Sequence, residues 1–168
     1  EVKFIGITIS DEQVNWANDN LVSKFKDAMK VVSMDYRKMP ADWTFDRIVS
    51  VGMFEAVGPG NYATFFDVLH RHLKPDGLCL LHTITQSFST CINLSPWLIK
   101  YIFPDGTLPS LTQIFKAAEK RLIAEDVQQF GPCYAKTLRA WRATWLKASP
   151  TSVPPGARTQ RFRRMWWL

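Results

Sequence analysis

The sequence predicts an α/β domain in which a parallel sheet lies between two layers of helices. Three observations carry that prediction. Short runs of β-branched and apolar residues recur along the chain, apolar on both faces as buried parallel strands are. Segments with apolar residues at helical spacing lie between them, several opened by capping residues. Short turns join the two kinds of segment, and such alternation favours parallel strands with crossover helices.

Residues 2–9 (VKFIGITI) read as the first strand. Ser10-Asp11-Glu12-Gln13 has the form of a capping box, with Ser10 at the N-cap and Gln13 reaching back. Val14, Trp16, Ala17, Leu21 and Val22 keep helical spacing after it. Residues 30–34 make a second strand and residues 45–53 (FDRIVSVGM) a third. Asn61 can cap a helix in which Tyr62, Phe65, Phe66, Leu69 and Leu73 share a face, and Pro75-Asp76-Gly77 ends that helix with a turn. Residues 78–84 form a fourth strand, apolar until His82. Ser95-Pro96 suits a helix start, and Ser110 to Gln113 repeats the capping-box form. Residues 122–127 read as a fifth strand, and residues 134–148 as an amphipathic helix with Tyr134, Leu138, Trp141 and Trp145 in line. Residues 149–160, with three Pro and a Gly, read as a linker or loop, and residues 161–168 as the start of a further basic, aromatic helix. Residues 1–148 are thus expected to form one domain, in keeping with a chain of 168 residues.

The net charge of +6 is unevenly placed. Lys136, Arg139, Arg142, Lys147, Arg158, Arg161, Arg163 and Arg164 follow one another with no acid among them, while the 135 residues before Lys136 carry thirteen basic and fifteen acidic groups. A basic segment mixed with Trp suits an anionic membrane surface or a nucleic acid, and a solvated helix face is the plainer reading. No apolar run has the length of a membrane span. The three Cys are widely spaced and make no metal-ligand pattern, which fits a reduced cytoplasmic protein.

In doubly wound sheets, ligands sit beyond the carboxyl ends of the strands. That rule selects residues 8–13, 35–37, 53–58 and 82–84 before any family is considered. The stretch Phe45-Asp46-Arg47-Ile48-Val49-Ser50-Val51-Gly52-Met53-Phe54-Glu55 resembles the central motif of cyclopropane-fatty-acyl-phospholipid synthases. The resemblance continues through Leu73-Lys74-Pro75-Asp76-Gly77, Leu80-Leu81-His82-Thr83-Ile84, Lys100-Tyr101-Ile102-Phe103-Pro104-Asp105-Gly106 and Leu108-Pro109-Ser110. It ends at Tyr134-Ala135-Lys136-Thr137-Leu138, which is similar to mycolic acid cyclopropane synthases.

The resemblance implies a Rossmann-like class I methyltransferase sheet with helices on both faces, and S-adenosylmethionine as cofactor. It places Thr8, Ile9, Ser10, Asp11, Glu12 and Gln13 at the ribose and methionine end of that cofactor. Tyr36 and Arg37 would flank the adenine, and Val51 would offer a backbone contact near the methionine. Helix capping alone would also account for Ser10 and Gln13. The implied reaction has a cis alkene of an unsaturated phospholipid acyl chain attack the electrophilic methyl, after which a base removes a proton and the cyclopropane ring closes. That base would be a bound bicarbonate ion held by Glu55, His82 and Tyr134, with the backbone of Ile84 completing the pocket. Trp97, Tyr101, Ile102, Phe103 and Phe115 would suit an apolar tunnel for the chain, or ordinary core packing. The expected setting is cytoplasmic and peripheral to an anionic membrane, with no nucleic acid partner; a homodimer is compatible with it.

Three departures accompany the resemblance. The Gly-rich loop after the family's first strand, a strand that lies mid-sheet, has no counterpart, and neither do the final hairpin strands or an upstream family Cys. Ala56 stands where the family usually carries His. The chain is therefore expected to be truncated at both ends and to lack part of its cofactor site. A related methyltransferase acting on a small amine or another lipid, and a non-catalytic membrane-binding remnant, are the alternatives.

Overall fold

The computed structural model describes residues 2–89, 96–101, 103 and 106–148, which fall into two units, 1–124 and 125–168. In the first unit, β1 (Phe4–Thr8) leads into α1 (Asp11–Ala17). A wide turn at Asn18–Val22 and the single turn α2 (Ser23–Phe25) carry the chain to β2 (Met29–Ser33), which lies parallel to β1 with Thr8 opposite Ser33. Then come β3 (Phe45–Val51), α3 (Tyr62–His72) and β4 (Leu73–His82), with β4 parallel to β3 and Val51 opposite His82. Two further helices follow, α4 (Pro96–Tyr101) and α5 (Leu111–Ala118). The second unit holds a short turn at Gly131–Cys133 and α6 (Tyr134–Ala148). Among the described residues no helix is long and apolar enough to cross a membrane.

The strands form two parallel ribbons, β1–β2 and β3–β4, rather than one continuous sheet. On β3 and β4 the alternation is plain: Ile48, Ser50, Cys79 and Leu81 face the core side, while Val49, Val51, Leu78 and Leu80 are each more than half exposed.

The core is aromatic. Phe54, wholly buried just past β3, stacks on Tyr62 at 4.5 Å and meets Phe65 and Phe66 at 4.9 and 5.9 Å. Those partners belong to the face of α3 that the sequence pattern selects, joined by Val68, Leu69 and His72. Full burial of one such side chain contributes roughly 1.5–3 kcal/mol. At the far end of α3, His72 Nδ1 donates to the Trp43 carbonyl at 2.7 Å, which ties the helix to the loop before β3.

Several expectations need correction. Leu73 does not extend α3; its backbone is extended and it opens β4 opposite Phe45. The Pro75-Asp76-Gly77 turn lies inside that strand, where Lys74, Pro75, Asp76 and Gly77 bulge opposite Asp46 alone. Gly77 suits the bulge because a Cβ there would sit 2.7 Å from the Leu73 side chain. Asn61 stands at the N-cap of α3, but its side-chain amide donates to the Val57 carbonyl instead of capping. Residues 122–130 form no strand: Ile123 is 87% exposed, and among the described residues no strand edge pairs with it. The capping box at Ser110 and Gln113 is complete in both directions. At Ser10 it is half made, as shown below. The linker at 149–160, the segment 161–168 and the capping Ser95 lie outside the described residues.

Truncating Phe54 tests the core. Phe54→Ala should destabilise the fold by about 3–5 kcal/mol, read as a shift in the denaturant midpoint, and a loss below about 1 kcal/mol would show that this cluster does not hold the first unit together.

Candidate functional site

Polar residues gather at the carboxyl ends of both ribbons. Beyond β1, the Thr8 hydroxyl donates to Gln13 Oε1 at 2.7 Å, and the Ser10 amide donates to Thr8 Oγ1 at 3.2 Å. Ser10 Oγ accepts from the Gln13 amide at 3.3 Å, so it caps α1, but Gln13 does not reach back to Ser10 because Thr8 holds its side chain. The Ser10 hydroxyl also donates to Glu12, whose carboxyl is lowered first by its own backbone amide and then by that hydroxyl. Ser33 at the end of β2 donates to Asp11 Oδ1 at 3.0 Å and so ties the second strand to the first turn of α1.

Beyond β2, Asp35 caps the short turn Tyr36–Lys38 by accepting the Arg37 amide at 2.9 Å. The same carboxylate takes the Arg37 guanidinium on both oxygens, at 3.0 Å from Nε and 2.6 Å from Nη2. Hydrogen bonding from that guanidinium holds the Asp35 carboxyl down at about 2. Arg37 thereby lies over the Tyr36 ring, 5.8 Å from its centroid. The ring meets Phe65 of α3 edge-on at 5.5 Å, and burial pushes the Tyr36 phenol up. Beside these residues, Ile9, Ser33, Met34, Asp35 and Lys38 line a cleft of about 440 Å³. This open depression lies where the strand-end rule points.

At the end of the other ribbon, Gly52 takes a left-handed backbone, φ +63°, and its amide donates to the His82 carbonyl at 3.0 Å. This turns the chain so that Phe54 enters the core and Glu55 lies over the end of β4. Glu55 Oε1 accepts the Ile84 amide at 2.7 Å, and the Glu55 carbonyl accepts the Thr107 amide at 2.8 Å. Among the described residues Glu55 Oε2 is buried and has no hydrogen-bond partner. Leaving such an atom unpaired is worth about 1–3 kcal/mol of desolvation, so the oxygen suits a group that shares a proton with it. A bicarbonate ion fits that requirement, having both a hydroxyl and acceptor oxygens.

The structure thus brings Val51, Glu55, His82 and Ile84 together on one ribbon end, and Thr8 to Gln13 with Tyr36 and Arg37 near the other. Tyr134 opens α6 in the second unit, where its ring meets Trp141 edge-on at 5.9 Å. Of the apolar tunnel candidates, Phe103 and Phe115 are 50% and 41% exposed. Ile102 and the side chains of Trp97 and Tyr101 lie outside the described residues. Ser33, Lys38 and Thr107 were not singled out from the sequence. Ser33 carries a signal, since it ends a strand, but the sequence pattern places that strand one residue later, at 30–34. Among the described residues no three His, Cys, Asp or Glu cluster as metal ligands.

Parallel strands joined by helices, with polar clusters at their carboxyl ends, make an α/β fold that matches solved structures of class I methyltransferases. The chain belongs to the mycolic acid cyclopropane synthetase family, whose profile matches residues 1–168. It is 44% identical over 166 residues to the cyclopropane-fatty-acyl-phospholipid synthase of Escherichia coli (strain K12), covering 99% of this chain and 41% of that protein. It is 34% identical over 163 residues to cyclopropane mycolic acid synthase 1 of Mycobacterium tuberculosis (strain ATCC 25618 / H37Rv), covering 85% of this chain and 54% of that protein. Its fold matches the crystal structure of a mycolic acid cyclopropane synthase complexed with SAH and CTAB, with a TM-score of 0.80 and 28% identity, over 98% of this chain and 61% of that one. The chain thus spans about half the length of these relatives.

The Asp35–Arg37 pair makes a checkable statement about pH. Its folded carboxyl lies below the ordinary value of 3.8, so its stabilising contribution is full above about 4 and is lost as pH falls toward about 2. A carboxyl-carbon NMR titration should place the Asp35 midpoint near 2, and Arg37→Ala should return it toward 3.8. An unchanged midpoint in that variant would remove Arg37 as the cause.

Proposed function

We propose that this protein transfers a methyl group from S-adenosylmethionine to the cis double bond of an unsaturated phospholipid acyl chain, forming a cyclopropane ring. The observation that carries the reading is Glu55, one carboxyl oxygen fixed on the Ile84 amide and the other buried and unpaired at the meeting of two strand ends. The names of the relatives, synthases of cyclopropane lipids, support the substrate class. Residues 1–148 serve as the methyltransferase domain.

S-adenosylmethionine supplies the electrophilic methyl group. Thr8, Ile9, Ser10, Asp11, Glu12 and Gln13 hold its ribose and methionine end, with the backbone of Val51 beside the methionine. The Asp35-braced Arg37 and the Tyr36 ring flank the adenine, a flat surface kept in place by Phe65. Bicarbonate supplies a base that does not itself trap a carbocation. Glu55 shares a proton with it through Oε2, the Ile84 backbone lies beside it, and the His82 imidazole adds a hydrogen bond; the family resemblance alone adds the Tyr134 hydroxyl. Phe103 and Phe115 belong to the apolar surface that receives the acyl chain. Lys136, Arg139, Arg142 and Lys147 on α6, with no acid among them, hold the protein at an anionic membrane surface from the cytoplasmic side.

Transfer of labelled methyl from S-adenosylmethionine to phospholipid vesicles tests the reading: label should enter lipids with cis-unsaturated chains and not saturated ones. Label found instead in a small amine would replace the acceptor. Glu55→Gln and His82→Ala should each lower turnover by roughly 10²–10⁴-fold while affinity for S-adenosylmethionine stays nearly constant. Tyr134→Phe should be milder, because one hydrogen bond is lost and the packing is kept. Full turnover in Glu55→Gln would sink the assignment. Attachment to anionic vesicles should weaken as salt rises, since exposed charges are screened over roughly 8 Å at physiological ionic strength; attachment indifferent to salt would leave the basic face of α6 merely solvated.

A further inference from the structure

Three hydrogen bonds close a ring around the Glu55 turn. The side chain of Glu55 accepts the Ile84 amide at 2.7 Å, and its carbonyl accepts the Thr107 amide at 2.8 Å. The chain then returns to the segment that carries Ile84, where the Gln86 amide donates to the Pro109 carbonyl at 2.9 Å. Residues 107–110 are thus a strap between the Glu55 backbone and that segment, and Ser110 pairs with Gln86 as an isolated parallel bridge. Pro109 and Ser110 are buried.

One side chain fastens the far end of the ring. Gln113 belongs to the capping box of α5, and its Oε1 accepts the Ser110 amide at 2.9 Å. Capping uses only that oxygen. The Nε2 of the same side chain donates to the Ser89 carbonyl at 3.2 Å, 24 residues back in the segment after β4. Beside it the Ser110 and Ser89 hydroxyls pair at 2.9 Å. A carboxamide carries an acceptor and a donor on one plane, so it ties the strap and the Ile84 segment to α5 at once. The helix is a fixed base: Ile114, Ala117 and Ala118 pack on the aromatic core, and Arg121 just beyond it pairs with Asp67 of α3. Glutamate serves a capping box as well as glutamine does. Only the amide makes the second tie.

We infer that Gln113 is a positioning residue for Glu55: its carboxamide holds residues 84–89 against the strap and so keeps the Ile84 amide on the carboxylate. This deepens the function proposed above and rests on it for the part Glu55 plays in the chemistry. Gln113 acts through the backbone of the two segments it joins, Ser110 on one side and Ser89 on the other.

Gln113→Glu is the discriminating variant, because it keeps the acceptor for the Ser110 amide and puts an oxygen in place of the donor to Ser89. Amide hydrogen exchange of the full chain, followed residue by residue by NMR, reads the result. Protection of the Ile84 amide should fall about fivefold or more, the worth of one hydrogen bond, while the amides of α5 keep theirs. Gln113→Ala, which introduces no charge, should give the same loss at Ile84. Unchanged Ile84 protection in both variants, or a loss shared equally by α5, would overturn the inference and leave the methyl-transfer reading standing. In the methyl-transfer assay, Gln113→Glu should lower kcat by a like factor and leave the KM for S-adenosylmethionine unchanged. Lost Ile84 protection with kcat unchanged would instead overturn the role given to Glu55, while the hold of Gln113 on the Ile84 segment would stand.

Discussion

Burial of Phe54 decides where Glu55 can be. The ring is enclosed by Tyr62, Phe65 and Phe66, so the turn after β3 has one side committed to the core. The next residue in so tight a turn is carried to the other side, over the end of β4, where the Ile84 amide receives it. Glycine at position 52 permits the sharp exit from β3. An aromatic cluster that looks like ordinary core packing is therefore also the device that sets the chemistry of the site.

The same cluster reaches the other ribbon. Phe65 touches Tyr36 edge-on, Tyr36 lies under Arg37, and Arg37 is held by Asp35. A chain of contacts thus runs from the core of α3 to the rim of the cleft. The Asp35–Arg37 pair is solvent-exposed in part, so its value lies in orientation more than in stability. Both guanidinium contacts are committed to Asp35, which fixes Arg37 over the Tyr36 ring.

Much of this architecture is visible in the chain itself, because it follows from local periodicity. The four observed strands lie within two residues of their sequence limits, apart from the start of β4. The amphipathic face of α3 and the Ser110–Gln113 capping box also follow from spacing alone. Residues 122–127 show where that logic stops. An apolar, β-branched run is a strand only where another strand edge offers hydrogen bonds, and sequence spacing does not supply a neighbour.

The sequence by itself determined the order of strands and helices, the strand ends at which polar residues collect, and the motif blocks that place the chain in its family. Tertiary structure alone decided which of those residues meet. Gln13 turns to Thr8 rather than to Ser10, Asp11 binds Ser33, and Glu55 takes an amide 29 residues away. The last two of these contacts depend on the register between strands, which sets which chain ends lie side by side. A local pattern fixes the direction a side chain faces along its own strand, while the partner waiting there is fixed by packing between elements distant in sequence.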